Sequence, residues 1–285
     1  MKAIHEPVLL EEIVQYLSPK RGVHIIDATL NGGGHARALV QRGVTVLGIE
    51  RDPEIVKIIK KEKITKLTVQ EGNYIYMKEY VQKQKFQPVY GVLFDFGMSS
   101  YHVDQAGRGF SFTKDEPLDM RYDQDDGISA AEMINSYREA ELANIFFAYG
   151  EERRGRAVAR AIVNERRRSR IVTSGHLARL VESVIPRRGK VHPATKVFQA
   201  LRIAVNKELE CVEDGLRAAM DVIEVGGRVA AISFHSLEDR IVKHTFRSAS
   251  NGMPITTKPV IASREEVLKN PRSRSAKLRV WERTV

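Results

Sequence analysis

The feature that most constrains the fold of this chain is a regular alternation of strand-like and helix-like segments over roughly its first hundred residues. Runs rich in β-branched residues, such as "HIIDAT", "VTVLGIE", "KLTVQE" and "VYGVLFD", are separated by helical patterns and short links. The chain also opens on a helical pattern, "PVLLEEIVQYL", in which Pro7 suits the first turn. Strands and helices that alternate in this way form right-handed βαβ units. We therefore predict an α/β fold with a parallel sheet covered by helices on both faces.

The alternation stops after the fourth predicted strand and resumes towards the C-terminus. The middle of the chain has a polar loop followed by helical patterns such as "EAELANIFFAY" and "GRAVARAIVNERR", and it contains no strand pattern. The rhythm then continues with one long helical pattern over 194–223, a strand "RVAAISFH", a helix and a terminal strand "KLRVWERT". We predict an α/β domain made of 1–100 and 194–285, with a helical domain, 101–193, inserted after its fourth strand.

The net charge of +10 is concentrated in the predicted insertion. Between Glu151 and Lys190 the sequence has twelve Lys and Arg residues against four Asp and Glu residues, and "NPRSRSAKLRVWERT" adds a second basic cluster. Positive charge in one segment favours a polyanionic partner, and binding through phosphate contacts should weaken steeply with salt. The alternative is a solvated helix face with acidic neighbours.

Several other classes of protein are disfavoured. No apolar run approaches the length of about 18 residues that a membrane helix needs. Acidic residues near the N-terminus stand where a signal peptide would be apolar, which favours a cytoplasmic protein. The single cysteine, Cys211, excludes an internal disulfide and a cysteine-based zinc site, and we expect it to fill the core. The histidines have no ligand spacing, so we predict no metal; the oligomeric state stays open.

A glycine-rich turn follows the first predicted strand in "IIDATLNGGGHARALV". Ligands of open parallel sheets bind at the carboxyl ends of the strands, and this turn is a usual place. No Gly-Lys-Ser/Thr follows, which disfavours a Walker A loop. Gly32 and Gly34 begin a dinucleotide fingerprint, but Arg37 takes the place of its third glycine.

Carboxylates end two further predicted strands. Glu50 ends the second, where a carboxylate can accept both hydroxyls of the ribose in NAD or S-adenosylmethionine. Asp95 ends the fourth and is followed by Ser99 and Ser100. An exocyclic base amine is a weak nucleophile, and acceptors that hold its hydrogens can direct its lone pair at a methyl donor. We therefore predict Asp95, Ser99 and Ser100 as catalytic residues of a methyltransferase, the alternative being a strand-end turn that hydrogen-bonds itself.

The remaining motifs extend over nearly the whole chain. They are "HEPVLLEE", "GGGH", "ERDP", "DFGMSSYHVD", "RGFSFTKDEPLDMR", "YGEER", "HPATKVFQALRIAVNKEL", "GGRVAAISFHSLEDRIVK" and "NPRSRSAKLR". Together and in this order they resemble the RsmH (MraW) family. The resemblance implies a class I (Rossmann-like) methyltransferase sheet with an inserted helical domain and S-adenosylmethionine as cofactor. It also implies the substrate, which is N4 of a decoding-centre (P-site) cytidine in 16S rRNA of the bacterial small ribosomal subunit.

The resemblance also implies which residues contact the cofactor. By matching position these are Gly32, Gly33, Gly34, His35, Glu50, Tyr74, Asp95 and His102. Tyr74 takes the aromatic position beside the adenine, and we expect the glycines to make room for the methionine portion. This chain departs from the family at Asn31, where glycine is common, at Glu50, where aspartate is common, and at His102, where glutamine is usual. Asparagine tolerates a left-handed backbone, so we expect the turn to survive.

Four residues in distinctive motifs are predicted to meet the substrate: Arg108, Phe110, Asp119 and His235. We expect Arg108 to contact a phosphate and Phe110 to stack on a base. A core position for Phe110 and a buried structural role for His235 are the alternatives. The target cytidine has to be extruded or already single-stranded.

The sequence disfavours three other functions. A DNA amino-methyltransferase would carry an (Asn/Asp/Ser)-Pro-Pro-aromatic motif after the fourth strand, and "DFGMSS" has no proline. A dehydrogenase is disfavoured by Arg37 and by the lack of an acid/base arrangement in a second domain. A non-catalytic ribosome-assembly factor would not need the full set of cofactor positions.

Overall fold

The structure, a computed structural model, describes residues 7–187, 189 and 191–285, which fall into two compact units. The first unit consists of Met1–Ser99 and Leu209–Val285, and the second of Ser100–Glu208. The start of the "HEPVLLEE" motif and two basic residues of the predicted insertion, Arg188 and Lys190, lie outside the described residues.

One sheet forms the centre of the first unit. Its strands are β1 (His24–Asp27), β2 (Thr45–Glu50), β3 (Leu67–Glu71), β4 (Val89–Asp95), β5 (Ile223–Ser233), β6 (Gly252–Pro254), β7 (Val260–Ile261) and β8 (Lys277–Arg283). The strand order is β3-β2-β1-β4-β5-β8-β6, with β7 also paired to β8. The strands from β1 to β5 pair in parallel, whereas β8 is antiparallel to β5, β6 and β7. The predicted α/β fold is therefore confirmed; β6 and β7 were not predicted.

The helices occur in the same order along the chain as their patterns. They are α1 (Leu10–Leu17), α2 (Gly34–Gln41), α3 (Pro53–Lys61), α4 (Met77–Gln84), α5 (Ser100–Asp104), α6 (Ala130–Ser136), α7 (Glu139–Gly150), α8 (Gly155–Arg166), α9 (Ser174–Val184), α10 (Thr195–Asn206), α11 (Glu208–Val222), α12 (Ser236–Ser248) and α13 (Arg264–Lys269). None of the helices in the described residues is long and apolar enough to cross a membrane. The short helices α5 and α13 lie in segments for which we predicted no helix.

Two local features explain why the central strands and their helices form. In β2 the residues from Val46 to Glu50 are all buried, as expected for a parallel strand covered on both faces. α3 begins where the Asp52 side chain accepts a hydrogen bond from the N–H of Glu54, with Pro53 in the first turn. Its buried face then packs Ile55 and other apolar residues into the core.

Two helix predictions were wrong in their boundaries. α1 begins only at Leu10, because Leu9 has a left-handed backbone with φ 53°, so Pro7 precedes the helix. The long helical pattern over 194–223 is two helices, since Lys207 is left-handed with φ 51° and ends α10. A non-glycine residue rarely adopts this conformation, and the apolar periodicity on either side gave no signal of it.

The second unit is helical, and its end differs from the predicted boundary at 193/194. α10 belongs to this unit because it packs against α7. Gln199 Nε2 donates to the carbonyl of Tyr149 at 3.2 Å, and Lys196 Nζ donates to that of Glu151 at 3.0 Å. Within its described residues the unit has no strand beyond a single bridge between Pro117 and Thr173.

Candidate active site

Three carboxylates lie at the carboxyl edge of the sheet in the first unit. Asp27 ends β1, the strand between β2 and β4. It lies opposite Gly48 of β2 and opposite Leu93 of β4. Glu50 and Asp95 follow those partners and end β2 and β4. The sheet therefore brings together the two predicted acids and a third, Asp27, to which the sequence analysis gave no role although it ends the strand "HIID".

The turn after β1 is hydrogen-bonded to both neighbouring strands. Asn31 is its central residue: its backbone N–H donates to Glu50 Oε2 at 2.8 Å, and its Nδ2 donates to the carbonyl of Asp95 at 3.2 Å. Thr29 Oγ1 accepts the backbone N–H of Asp95 at 2.6 Å. Asn31 is buried and left-handed with φ 49°, which confirms the tolerance expected of asparagine at this position. It ties the turn to the ends of both acidic strands.

The glycines of the turn have separate tasks. Gly33 precedes α2 in a left-handed conformation with φ 74°, which a side chain would strain. A Cβ on Gly34 would lie 2.9 Å from the ring of Pro7. The space beside the Gly34 α-carbon is therefore taken by Pro7, and the room for the methionine portion that we expect from the glycines stays a prediction. Arg37 Nη1 donates to the carbonyl of Gly32 at 2.6 Å, so the residue in place of a third glycine closes the turn.

His35 connects that N-terminal segment to the acidic edge. Its Nε2 lies 2.9 Å from the carbonyl of Val8, and its Nδ1 lies 3.7 Å from Asp95 Oδ2. Because a carbonyl only accepts, Nε2 carries the proton in the first contact. His35 is buried, and it positions the Asp95 carboxylate from the first turn of α2.

Burial disfavours the charged form of two carboxyl groups at the acidic edge. Burial raises the pKa of Glu50 from 4.5 to about 8, although the N–H groups of Asp52 and Asn31 lower it in part. Burial also raises the pKa of Asp27 well above its ordinary value, and the nearby Asp95 and Glu50 raise it further. Asp27 Oδ1 is buried with no hydrogen-bond partner among the described residues. This edge favours a cation or a group of hydroxyl donors.

Tyr74 and Ser99 lie in the same unit. The Tyr74 ring stands edge-on to Phe94, with ring centres 5.5 Å apart and an angle of 82°. A Cβ on Gly215 would lie 2.5 Å from this ring, so glycine is needed there for close packing. Ser99, buried, ends the first part of this unit. Ser100 begins α5 in the second unit.

His102 and Phe110 belong to an aromatic cluster inside the second unit. The ring centre of His102 lies 5.1 Å from that of Phe110 and 4.8 Å from that of Tyr122. Phe110 stacks on Tyr122 with ring centres 5.5 Å apart at 16°. Both His102 and Phe110 are buried, which favours the core alternative for Phe110. The predicted cofactor contact of His102 stays a prediction.

Arg108 and Asp119 are engaged within the second unit. Arg108 is buried, and its Nη1 donates to the carbonyls of Arg121 and Tyr122 at 3.0 and 2.8 Å, a structural arrangement in place of the predicted phosphate contact. Asp119 accepts two hydrogen bonds from the Arg121 guanidinium, at 2.8 and 2.9 Å. Partial burial raises the pKa of Asp119, but hydrogen bonds from Arg121 and Gln124 outweigh it and lower the pKa below its ordinary value.

The sequence analysis missed two residues, at the end of α10 and the start of α11, that hold this loop. Asn206 Oδ1 accepts the N–H of Tyr122 at 2.9 Å, and its Nδ2 donates to the carbonyl of Met120 at 2.7 Å. Glu208 accepts from the Tyr122 hydroxyl at 3.0 Å and from Arg202 Nε at 2.8 Å. The only signal in the sequence was the distinctive "VNKEL" at the end of the helical motif.

His235 is the N-cap of α12 in the first unit. Its Nδ1 accepts the N–H of Glu238 at 3.3 Å, and Glu238 Oε2 accepts the N–H of Phe234 at 2.8 Å. The two side chains form a capping box, with an imidazole in place of the usual hydroxyl. This favours the structural alternative for His235.

Exposed arginines cover one face of α8 and the segments that flank it. They are Arg153, Arg154, Arg156, Arg160, Arg167, Arg168 and Arg170. Arg166 is instead engaged within the unit. Its Nη1 donates to the carbonyls of Ile134 and Tyr137, at 2.7 and 2.6 Å, at the carboxyl end of α6. Most of the arginine-rich segment is therefore accessible to a polyanion.

Known proteins similar to this chain show which family it belongs to. The MraW methylase family matches residues 2–284. The ribosomal RNA small subunit methyltransferase H of Deinococcus deserti is 47% identical over 283 residues, which cover 99% of this chain and 94% of that protein. The proteins of the same name from Deinococcus radiodurans and Dictyoglomus thermophilum are 46% and 41% identical, over 98% and 99% of this chain and 89% and 98% of theirs. Methylases of this family use S-adenosylmethionine. The chain belongs to the MraW methylase family, as its motifs predicted.

Proposed function

We propose that this protein transfers a methyl group from S-adenosylmethionine to N4 of a cytidine in 16S rRNA of the bacterial small ribosomal subunit. The products are N4-methylcytidine and S-adenosylhomocysteine, and the target is the decoding-centre (P-site) cytidine that the family resemblance implies. The relatives named ribosomal RNA small subunit methyltransferase H support the rRNA substrate. Such a substrate would have the enzyme act in the cytoplasm.

The observation that carries the proposal is the acidic edge of the first unit. S-Adenosylmethionine has a sulfonium and an ammonium group, and these cations fit a site where Asp27 Oδ1 is buried without a partner among the described residues. The Glu50 carboxylate already accepts the N–H groups of Asn31 and Asp52, at 2.8 and 2.9 Å. Each carboxylate oxygen has a second lone pair, so Glu50 can accept the two ribose hydroxyls as well.

Tyr74 and the turn would hold the rest of the cofactor. The Tyr74 ring, fixed by its packing on Phe94, offers an aromatic face or edge for the adenine. Gly32, Gly33 and His35 would border the cofactor from the turn, and His102 keeps the cofactor contact that the family resemblance implies. When bound, S-adenosylmethionine supplies an electrophilic methyl group.

Asp95, Ser99 and Ser100 would act on the target amine. Asp95 accepts a hydrogen bond from the N4 amine and so directs its lone pair away from the ring towards the methyl carbon. The serine hydroxyls accept the other hydrogen or hold the base in place. As the new N–C bond forms, the amine loses one proton, which Asp95 or water takes up. Asp119 is expected to support the substrate side through Arg121 rather than by direct contact.

The exposed arginines of the second unit would bind rRNA phosphates. The buried Arg108 is not among them, because both of its carbonyl contacts are internal. Affinity for small ribosomal subunits should therefore fall steeply between low and moderate salt. An affinity that does not change with salt would contradict this part of the proposal.

The deciding experiment is methyl transfer to small ribosomal subunits that lack the modification. Labelled S-adenosylmethionine is added to assembly intermediates and to mature subunits, and the rRNA is then digested and examined by mass spectrometry. We expect one labelled nucleoside with the fragmentation of N4-methylcytidine. Label on another base or atom would exclude the proposed specificity, and no transfer to any particle would exclude the enzyme.

A further inference from the structure

A groove lies in the second unit where α7 meets the start of α8. Its volume is about 440 Å³, and its lining includes Asn144, Phe147, Glu152, Arg153, Gly155 and Arg156. None of these residues belongs to the acidic edge or to the aromatic cluster of His102. The groove combines one aromatic side chain, one amide, two guanidinium groups and the carboxylate of Glu152.

Phe147 is the unusual residue of this groove. It is 68% exposed, whereas the adjacent Phe146 is completely buried in the unit. A single exposed apolar residue is ordinary on a protein surface. Here, however, the exposed ring forms a wall of a groove rather than part of a convex surface. One face or edge of a phenylalanine ring is thus available to a flat partner.

The groove is positively charged on the side of α8. Arg153 and Arg156 are exposed, and within the described part of the chain neither side chain makes a hydrogen bond or an ion pair. Further along the same helices Arg160 lies 3.5 Å from Glu139. Residues 151–170 contain eight arginines and three glutamates, so the surroundings of the groove favour an anion.

The groove is held in shape by contacts of its own. A Cβ on Gly155 would lie 3.0 Å from Phe146 Cβ and 3.3 Å from the carbonyl of Ala143, so glycine lets the two helices approach closely. The carboxylate of Glu152 accepts the N–H of Arg154 at 2.8 Å. Glu152 thus lies just before the start of α8, where a negative charge is favourable, and is held to the backbone there.

We propose that this groove binds an unpaired nucleotide of the RNA substrate, with its base stacked on Phe147 and its phosphates on Arg153 and Arg156. The inference rests on the proposed function and adds a second RNA-binding position to it, outside the site of methyl transfer. The exposed amide of Asn144 offers a donor and an acceptor to the edge of the base.

An unpaired nucleotide fits these observations better than duplex RNA. Single-stranded nucleic acid is held by aromatic stacking together with cationic groups along its backbone, and the groove offers both. In a duplex the base faces are covered by their neighbours, and only its phosphates could reach the arginines. An apolar protein segment would cover Phe147 but would leave two guanidinium groups without counter-charges.

The test measures binding of a fluorescently labelled single-stranded RNA of mixed sequence by anisotropy over a range of salt concentrations. Phe147→Ala should weaken binding about tenfold at every salt concentration, with the same slope of log affinity against log salt. Arg153→Gln and Arg156→Gln should each reduce that slope by roughly 0.7. Phe147→Tyr should bind like the unchanged protein, because stacking is retained.

Two further variants are matched controls in the first unit. Leu268→Ala removes an exposed apolar side chain, and Arg217→Gln removes an exposed arginine. Both should leave the affinity and its salt slope unchanged.

Phe147→Leu separates stacking from apolar contact: we expect it to bind the RNA as weakly as Phe147→Ala. Wild-type affinity for the RNA in Phe147→Leu would show that no base stacks on Phe147 and overturn the inference, as would unchanged binding by Phe147→Ala.

The failure of this inference can be told apart from the failure of the proposed function. Anisotropy requires neither S-adenosylmethionine nor turnover, and duplex RNA of the same length serves as comparison, with no loss expected for Phe147→Ala. If that variant binds single-stranded RNA normally while subunits are methylated at cytidine N4, the groove assignment is wrong and the enzyme stands. If no subunit is methylated but the loss is observed, the groove stands and the proposed reaction is wrong.

Discussion

Carboxyl groups are buried in both units, but they have arginine partners in the second unit and raised pKa values in the first. At the acidic edge, burial raises the pKa of Glu50 to about 8 and that of Asp27 well above its ordinary value. In the second unit the Arg121 guanidinium binds both oxygens of Asp119, whose pKa is lowered. There Glu208 is likewise bound by Arg202 through two hydrogen bonds.

This is the difference that we expect between a ligand site and a structural network. Burying an uncompensated carboxylate costs free energy, and such groups persist where a ligand supplies the missing charge or hydrogens. A carboxylate bound to arginine at both oxygens already has its counter-charge and needs no ligand to supply one. "PLDMR" and "ERDP" are equally distinctive motifs, yet by this criterion only the second contributes an acid to the site.

The largest expected effect comes from the acidic edge. Asp95→Ala should lower the rate of methyl transfer to small subunits by about 100-fold or more, because one acceptor fixed against the reacting amine is lost. Circular dichroism should show a folded protein. Asp214→Ala, which removes an exposed acid on α11, is the matched control and should keep full activity. Turnover retained by Asp95→Ala would remove Asp95 from the catalytic residues.

Substitutions in the arginine–carboxylate pair of the second unit should lower the stability of the protein rather than its activity. Asp119→Ala should lower the free energy of unfolding by about 1–2 kcal/mol, near the low end for paired charges because the carboxylate is partly exposed. Arg121→Ala should cost a similar amount, and the double variant should cost less than the sum. Chemical denaturation measures all three. A large loss of turnover in Asp119→Ala with no loss of stability would instead make Asp119 part of the active site.

Two substitutions of Asn31 separate the two contributions of this residue to stability, its side-chain hydrogen bond and its tolerance of a left-handed backbone. Asn31→Gly should lose only the hydrogen bond to the carbonyl of Asp95, worth about 1 kcal/mol. Asn31→Ala should lose about 1 kcal/mol more, because alanine is strained at a left-handed φ of 49°. Unfolding and calorimetric titration with S-adenosylmethionine would measure both effects. Equal stabilities of the two variants would contradict the strain argument.

The last effect is a pH dependence of the stability of the ligand-free protein. Since the pKa of Glu50 rises from 4.5 to about 8 on folding, the folded protein keeps a proton that the unfolded chain releases between these values. The free energy of unfolding should therefore fall as pH rises from 5 to 8, and Asp27 acts in the same direction. Glu50→Gln should flatten this decline in thermal unfolding measured at several pH values. An equally steep decline in the variant would exclude Glu50 as its source.

Much of the first unit could be predicted because its signals are local. Apolar periodicity and turn residues predicted β1 to β4 and the helices between them. The carboxyl ends of parallel strands meet at one edge, so the ends of "VTVLGIE" and "VYGVLFD" already predicted that Glu50 and Asp95 share a site. The motifs likewise predicted the family. All of this depends on residues that are neighbours in the chain or on a general property of sheets.

Only the tertiary structure decided which polar groups are partners. Asn31 and the carbonyl of Asp95 are 64 residues apart, and Tyr122 and Asn206 are 84 apart. Arg108 and Arg156 both lie in arginine-containing polar segments of the sequence. Arg108 is nevertheless buried against two carbonyls, whereas Arg156 is exposed. Local sequence determines where a strand or helix ends, because backbone and neighbouring side chains set that cost. Whether a charged side chain has a partner depends on which distant segments of the chain lie beside it, and this is decided only when each unit folds.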